Sequence, residues 1–176
     1  MSTPTTHTCP GCQVTLPALD GPTHAYIGAS AECWAVYTAL TAAQQSPVAP
    51  TPFAPLIVDA YAAQHPGVPS PQSVQSVAVH LITLHGVLER NVPPQKAVWL
   101  RQRSLRAKFG PKHDRFHWLR PPDLAGSTTI ADVAAADSAQ ERARTADAFV
   151  HDVWHRWAAV HAPTIAAWYD TFVVVD

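Results

Sequence analysis

Lysine and arginine are missing from the first 89 of the 176 residues, and Asp, Glu, Lys and Arg together make only 14% of the chain. Against a usual share of about 25%, so little charge excludes the charge-rich, apolar-poor composition of disordered chains. No run of 18 apolar residues occurs, so the sequence offers no candidate membrane span. The opening residues MSTPTTHTCPGC hold neither the basic nor the apolar region of a signal peptide, and a cytosolic location is expected. Cysteine is scarce. Three cysteines, two of them in CPGC, argue for thiolate ligands or catalysis over a disulfide framework. Neither βαβ alternation nor an internal repeat is present, which argues against a parallel α/β sheet and a solenoid.

What is present is an apolar share of 47% in a chain of one-domain length, enough to bury about 70% of its unfolded surface without staples. Residues 1–176 therefore read as a single domain. The 17 prolines are about double the average share, so long irregular connections are expected. Residues 1–29 are dense in Thr, Pro and Gly, with turns at Pro10-Gly11 and Asp20-Gly21-Pro22, and read as an irregular metal-binding segment.

From Ser30 the apolar spacing becomes helical. The pattern predicts helices over about 31–45, a brief second one from Leu56 halted by His65-Pro66-Gly67, and a central third from Pro71 to about Arg90. A fourth opens at Pro93-Pro94 and runs to Lys108 or Phe109. Thr129 and Asp132 have capping-box spacing for a long last helix, which Pro163 kinks or splits, and the closing FVVVD is an isolated strand or a frayed tail. The fold class expected is all-α, a small irregular helical bundle with a Cys/His-rich N-terminal segment over 1–29 and the bundle over 30–176.

Chemistry concentrates at the front. Cys9, Cys12, His24 and Cys33 follow C-x2-C-x11-H-x8-C. A CxxC turn lets two thiolates converge on one ion, and zinc needs four such soft or borderline donors in a tetrahedron. Cys33 falls in the first turn of a helix, where the dipole favours thiolate. A bound Zn2+ would stabilise a segment that burial cannot hold. The fourth ligand is the open question, with His7, His65 and His80 as rivals to His24. The competing readings are a redox dithiol, whose usual βαβ setting is absent, and an ordinary buried thiol at Cys33.

Ten histidines invite further comparison. His80 and His85 are five apart on the third helix, about 140° around it, so they do not share an ion by adjacency. His85 lies on the apolar stripe and reads as a hydrogen-bonded core residue. His65 sits at a helix end, where it can answer the dipole or ligate a metal. Asp147, His151 and His155 share one helical face, which reads as a solvated polar face more readily than as a site.

A net charge of -1 conceals a patterned distribution: residues 90–120 carry nine of the twelve basic side chains against Asp114 alone. Trp99, Phe109, Phe116, His117 and Trp118 interleave with them, as single-stranded nucleic acid requires for stacking and phosphate contact. Arg101, Arg103, Arg106 and Lys108 are the candidates for that role. The alternative is a basic helix packed beside the acidic final one.

CPGC, DGPTHAYIGAS followed by Cys33-Trp34, VDAYAAQHPG, QSVAVHLITL, FHWLRPP and TIADVAAA occur in one order along nearly the whole chain. Together they resemble a family of short, mostly bacterial proteins classed as a domain of unknown function. The resemblance brings no activity. It implies that Cys9, Cys12, His24 and Cys33 belong to its cysteine-histidine segment, and His65 and His80 to two later histidine segments, so these six are the candidate metal ligands. A metal held by four side chains would be structural, in a scaffold or interaction module. A metal held by three would leave a water for hydrolysis or group transfer, with Tyr26 or Asp59 handling protons and His65 and His80 lining the pocket. Whether the protein is an enzyme is therefore open at this level, and an anion-binding module through residues 90–120 is the third reading.

Overall fold

A computed structural model describes residues 5–43, 51–106 and 115–174. The chain is all-α apart from one small hairpin. Strands β1 (Thr6–Thr8) and β2 (Thr15–Pro17) pair antiparallel, His7 opposite Leu16. Helices come next at α1 (Ala31–Ala43), α2 (Ile57–Gln64), α3 (Pro71–Leu88), α4 (Ala97–Ser104), α5 (Ile130–Ala135) and α6 (Ala139–Tyr169). The front segment is thus less irregular than its composition suggests. Both of its strands are three residues long and largely exposed, so neither shows the in-out alternation by which a strand is recognised.

Caps decide where the helices begin. Ser70 Oγ accepts from the Ser73 N–H at 3.1 Å, with Pro71 in the first turn of α3, where its missing N–H costs nothing. The Thr129–Asp132 capping box forms, but it starts the six-residue α5 and not the long last helix. Ala136 turns extended, and Ser138 caps α6 instead, accepting from the Glu141 N–H at 3.1 Å. Pro163 lies inside α6 and starts no new helix. As far as the described residues run, the C-terminal apolar stretch is neither strand nor frayed tail. Asp170–Val174 continue as a π-helical turn with Phe172 and Val173 buried, because Arg103 Nε donates to the Val173 carbonyl at 3.1 Å and Phe172 packs on Phe116. The expected end of the fourth helix at Lys108 or Phe109 lies outside the described residues; α4 itself closes at Ser104.

The centre of the bundle is α3, packed on α2, α4 and α6. Leu81, Ile82 and Leu84 meet Tyr61, Leu100, Phe149, Trp154 and Trp157, all fully buried. Burying each such side chain stabilises the fold by roughly 1.5–3 kcal/mol. The two buried indoles keep their N–H groups partnered, Trp157 with the Ala63 carbonyl at 2.9 Å and Trp154 with Glu89 at 2.6 Å, avoiding the penalty of a buried orphan donor. The Trp157 bond ties α6 to the end of α2, next to His65.

Candidate metal centre

The CPGC turn closes the hairpin. Cys9 N–H donates to the Val14 carbonyl at 2.8 Å, and Gln13, at φ +64°, donates back to the Cys9 carbonyl at 3.0 Å. This loop turns both Cys9 and Cys12 inward, 0% and 2% exposed. Cys33 reaches the same point from the first turn of α1, its N–H on Ser30 Oγ at 3.3 Å. His65 arrives from the residue that ends α2.

The three sulfurs and one ring nitrogen lie within 4.8 Å of one another, and all four residues are buried. Cys12 Sγ and Cys33 Sγ are 3.9 Å apart, and Cys33 Sγ is 3.4 Å from His65 Nε2. A zinc tetrahedron with Zn–S of about 2.3 Å and Zn–N of about 2.05 Å has edges of about 3.8 Å and 3.5 Å. The Cys12–Cys33 and Cys33–His65 distances are close to such edges, and the four residues form a group that could hold a metal ion. His65 is also oriented for the task. Its Nδ1 donates to the Tyr61 carbonyl at 2.7 Å, which leaves the Nε2 lone pair facing the sulfurs, as in metal-ligating histidines. The Tyr61 ring packs at a tilt on His65, centroids 4.2 Å apart, and its hydroxyl donates to Cys33 Sγ at 3.6 Å.

Electrostatics make the trio uncomfortable on its own. Hydrogen bonds from Cys12 and then Cys33 hold the Cys9 thiol far below its ordinary value, against burial. Cys33 is driven far up by its hydrogen bonds to Cys12 and Cys9, then by burial. Cys12 rises to about 11, the Cys33 hydrogen bond pulling it down and the Cys9 bond and burial pushing it up. One charge is tolerated. Three thiolates in this space need a cation among them.

Two glycines allow the approach. A Cβ at Gly11 would stand 2.5 Å from His65 Cδ2, and one at Gly28 would stand 2.7 Å from Gly67 Cα. Gly28 N–H donates to the His65 carbonyl at 2.9 Å. A second clamp holds the hairpin to α1: buried Glu32 accepts from His7 Nδ1 at 2.7 Å and from the Leu19 N–H at 2.9 Å. The Leu19 N–H first, then Glu32's own, lower its carboxyl to about 2. Glu32, Leu19 and Gly28 escaped sequence reasoning, and His7 entered it only as a rival ligand. Gly11 inside CPGC and the His65-Pro66-Gly67 stop were the visible signals.

Of the six candidate ligands, four converge and two do not. His24 packs edge-on against Tyr26 at 4.5 Å and tilts on Trp34 at 5.1 Å. His80 gives its Nδ1 to Asp59 Oδ1 at 2.7 Å. His7 is held by Glu32. The imidazole beside the three sulfurs is His65, because the packing of Trp34 and Tyr37 of α1 on Tyr61 of α2 carries the end of α2 to Cys33. Among the described residues no other His, Cys, Asp and Glu side chains gather with such spacing. His85 is buried and accepts from Arg90 Nε at 3.1 Å, and His151 rests on Phe53.

The basic segment points partly inward. Arg101 Nη1 donates to Asp59 Oδ2 at 2.6 Å, Asp59 being fully buried. Arg103 is buried under the C-terminal turn, Arg106 is exposed, and Lys108 lies outside the described residues. Arg101 thus ties α4 to α2, and Arg103 ties it to the C-terminal turn.

A model of one protein family spans residues 7–158, from the hairpin into α6. The chain belongs to DUF5946, a family of unknown function. The cysteines and His65 all fall within the matched DUF5946 region. No curated protein and no solved structure matches the chain.

Proposed function

We propose that this DUF5946 protein is a zinc-binding scaffold in which a closed Cys3His site, Cys9, Cys12, Cys33 and His65, fastens the N-terminal hairpin to the helical bundle. The observation that carries the reading is the mutual distance of four buried donor atoms, all within 4.8 Å. Three sulfurs with one imidazole suit zinc over the oxygen-seeking cations. Four protein donors leave no position for an activated water, which favours a structural ion over metal-assisted hydrolysis. No described helix is long and apolar enough to cross a membrane, and a thiolate cluster without disulfides suits the reducing cytosol.

The test is elemental analysis of the purified protein with the four single substitutions Cys9→Ser, Cys12→Ser, Cys33→Ser and His65→Ala. The expected result is one zinc per chain, lost or weakened in each variant. A protein free of zinc after purification without chelators, and unable to take it up, would overturn the reading.

A further inference from the structure

Beyond the metal, one buried polar arrangement is left without a task. Asp59 on α2 is completely buried and both of its oxygens are occupied, Oδ1 by His80 Nδ1 and Oδ2 by Arg101 Nη1. Since a carboxylate oxygen only accepts, Nδ1 of His80 carries the proton, and in the neutral ring Nε2 keeps its lone pair. No partner for Nε2 is found among the described residues, and the His80 side chain is 16% exposed. Three helices thus cooperate to present one imidazole acceptor in a fixed tautomer.

His80 lines a cavity. A space of about 200 Å³ is walled by aromatic rings, among them Trp34, Tyr37 and Tyr61, and reaches Ser76 and His80. A second space of about 250 Å³ adjoins it, and Tyr26, Ser76 and His80 line both. Tyr37 and Tyr61 are stacked on each other at 4.0 Å and 13°, and Trp34 tilts against Tyr37 at 5.4 Å and 33°, so the wall is aromatic and already packed. Flat π-faces select a planar ring by stacking. A fixed acceptor at the rim selects a ring that brings its own donor.

We infer that the cavity at His80 binds a small planar aromatic molecule carrying a hydroxyl group, with the ring against Trp34 and Tyr37 and the O–H donated to His80 Nε2. The metal does not touch this ligand. Its link to the cavity is Tyr61, which lines the cavity and donates its hydroxyl to Cys33 Sγ. Ser76, one turn before His80, offers a second polar contact to the same hydroxyl.

The probes are p-cresol, 4-methylanisole and toluene, which share a ring and differ in the donor, added to the protein as isolated. Binding is read by Trp fluorescence and by the ¹⁵N resonances of His80. The expected order is p-cresol ahead of both others by about tenfold, the loss that accompanies one unmade hydrogen bond in a buried site. The Nε2 resonance should move with p-cresol alone. In His80→Leu the three probes should bind alike. Because that variant leaves Asp59 short of a partner and can fail to fold, the wild-type comparison stands by itself. Equal affinity for p-cresol and toluene, no binding of any probe at millimolar concentration, or p-cresol binding that leaves Nε2 unmoved would each overturn the inference.

Discussion

Gly11 lies directly against His65: a methyl group on its Cα would sit 2.5 Å from the imidazole Cδ2. The ring has nowhere to retreat, since Tyr61 holds it by a hydrogen bond at Nδ1 and by the tilted packing of its own ring. Gly11→Ala should therefore displace His65 from the three sulfurs. Zinc affinity, measured by competition with a chromophoric chelator, is expected to fall by about 10-fold or more, the scale on which misoriented ligands act. Unchanged affinity would mean that His65 is not a ligand.

Two of the histidines that compete with His65, His24 and His80, separate cleanly from it. His24→Ala removes a ring that packs on Tyr26 and Trp34, and His80→Gln one that pairs with Asp59; neither should change zinc stoichiometry. His65→Ala should lower it, and only that variant should bind cobalt with a weakened tetrahedral thiolate-imidazole spectrum.

Chelation should loosen the hairpin before the bundle. With only two three-residue strands and the Glu32 clamp, residues 5–29 bury little of their own. Removing a closed structural site costs several kcal/mol, and about 2–4 °C accompanies each kcal/mol in a domain of this size. A fall in melting temperature of about 10 °C is expected on that scale, with amide exchange rising first at Cys9 and Gln13. A chelated protein that melts like the untreated one contradicts the fastening role.

Arg101 is an anchor within the fold. Taking its guanidinium from the fully buried Asp59 leaves that carboxylate with His80 alone, and breaking a buried pair costs about 3 kcal/mol or more. Arg101→Met should lose that much in chemical denaturation, while exposed Arg106→Ala should stay within about 0.5 kcal/mol of wild type.

His85 confers a pH dependence of known sign. Burial first, then the Arg90 guanidinium, lowers its pKa from the ordinary 6.5, and its buried Nδ1 has no hydrogen-bond partner among the described residues. The folded state therefore binds the proton less readily than the unfolded chain. Its contribution to stability is complete above about 6.5 and declines as pH falls below that toward the folded value. Wild type should lose stability as pH falls below about 6.5 more steeply than His85→Gln; parallel curves would show that the buried ring is not responsible.

Local chemistry was legible in the order of residues because it acts over a few positions. The CPGC turn, the Ser70-Pro71 start of α3, the Thr129–Asp132 box and the apolar stripe of α3 all depend on neighbours within one or two turns. From them the all-α class and the convergence of the three cysteines could be read. The fate of the capping box needed more, since the path of the chain beyond α5 is decided by Ala136 turning extended and Ser138 offering a second cap. The choice of imidazole lay further still beyond reach. His24 stands nearer to the cysteines along the chain, yet Cys33 and His65 are 32 positions apart and meet only because α1 and α2 pack, with Gly11 and Gly28 small enough to let the segments touch. Asp59, His80 and Arg101 were scattered over three helices in the same way. Spacing along a chain dictates which donors can converge locally, whereas helix packing alone determines which distant side chain arrives to complete them.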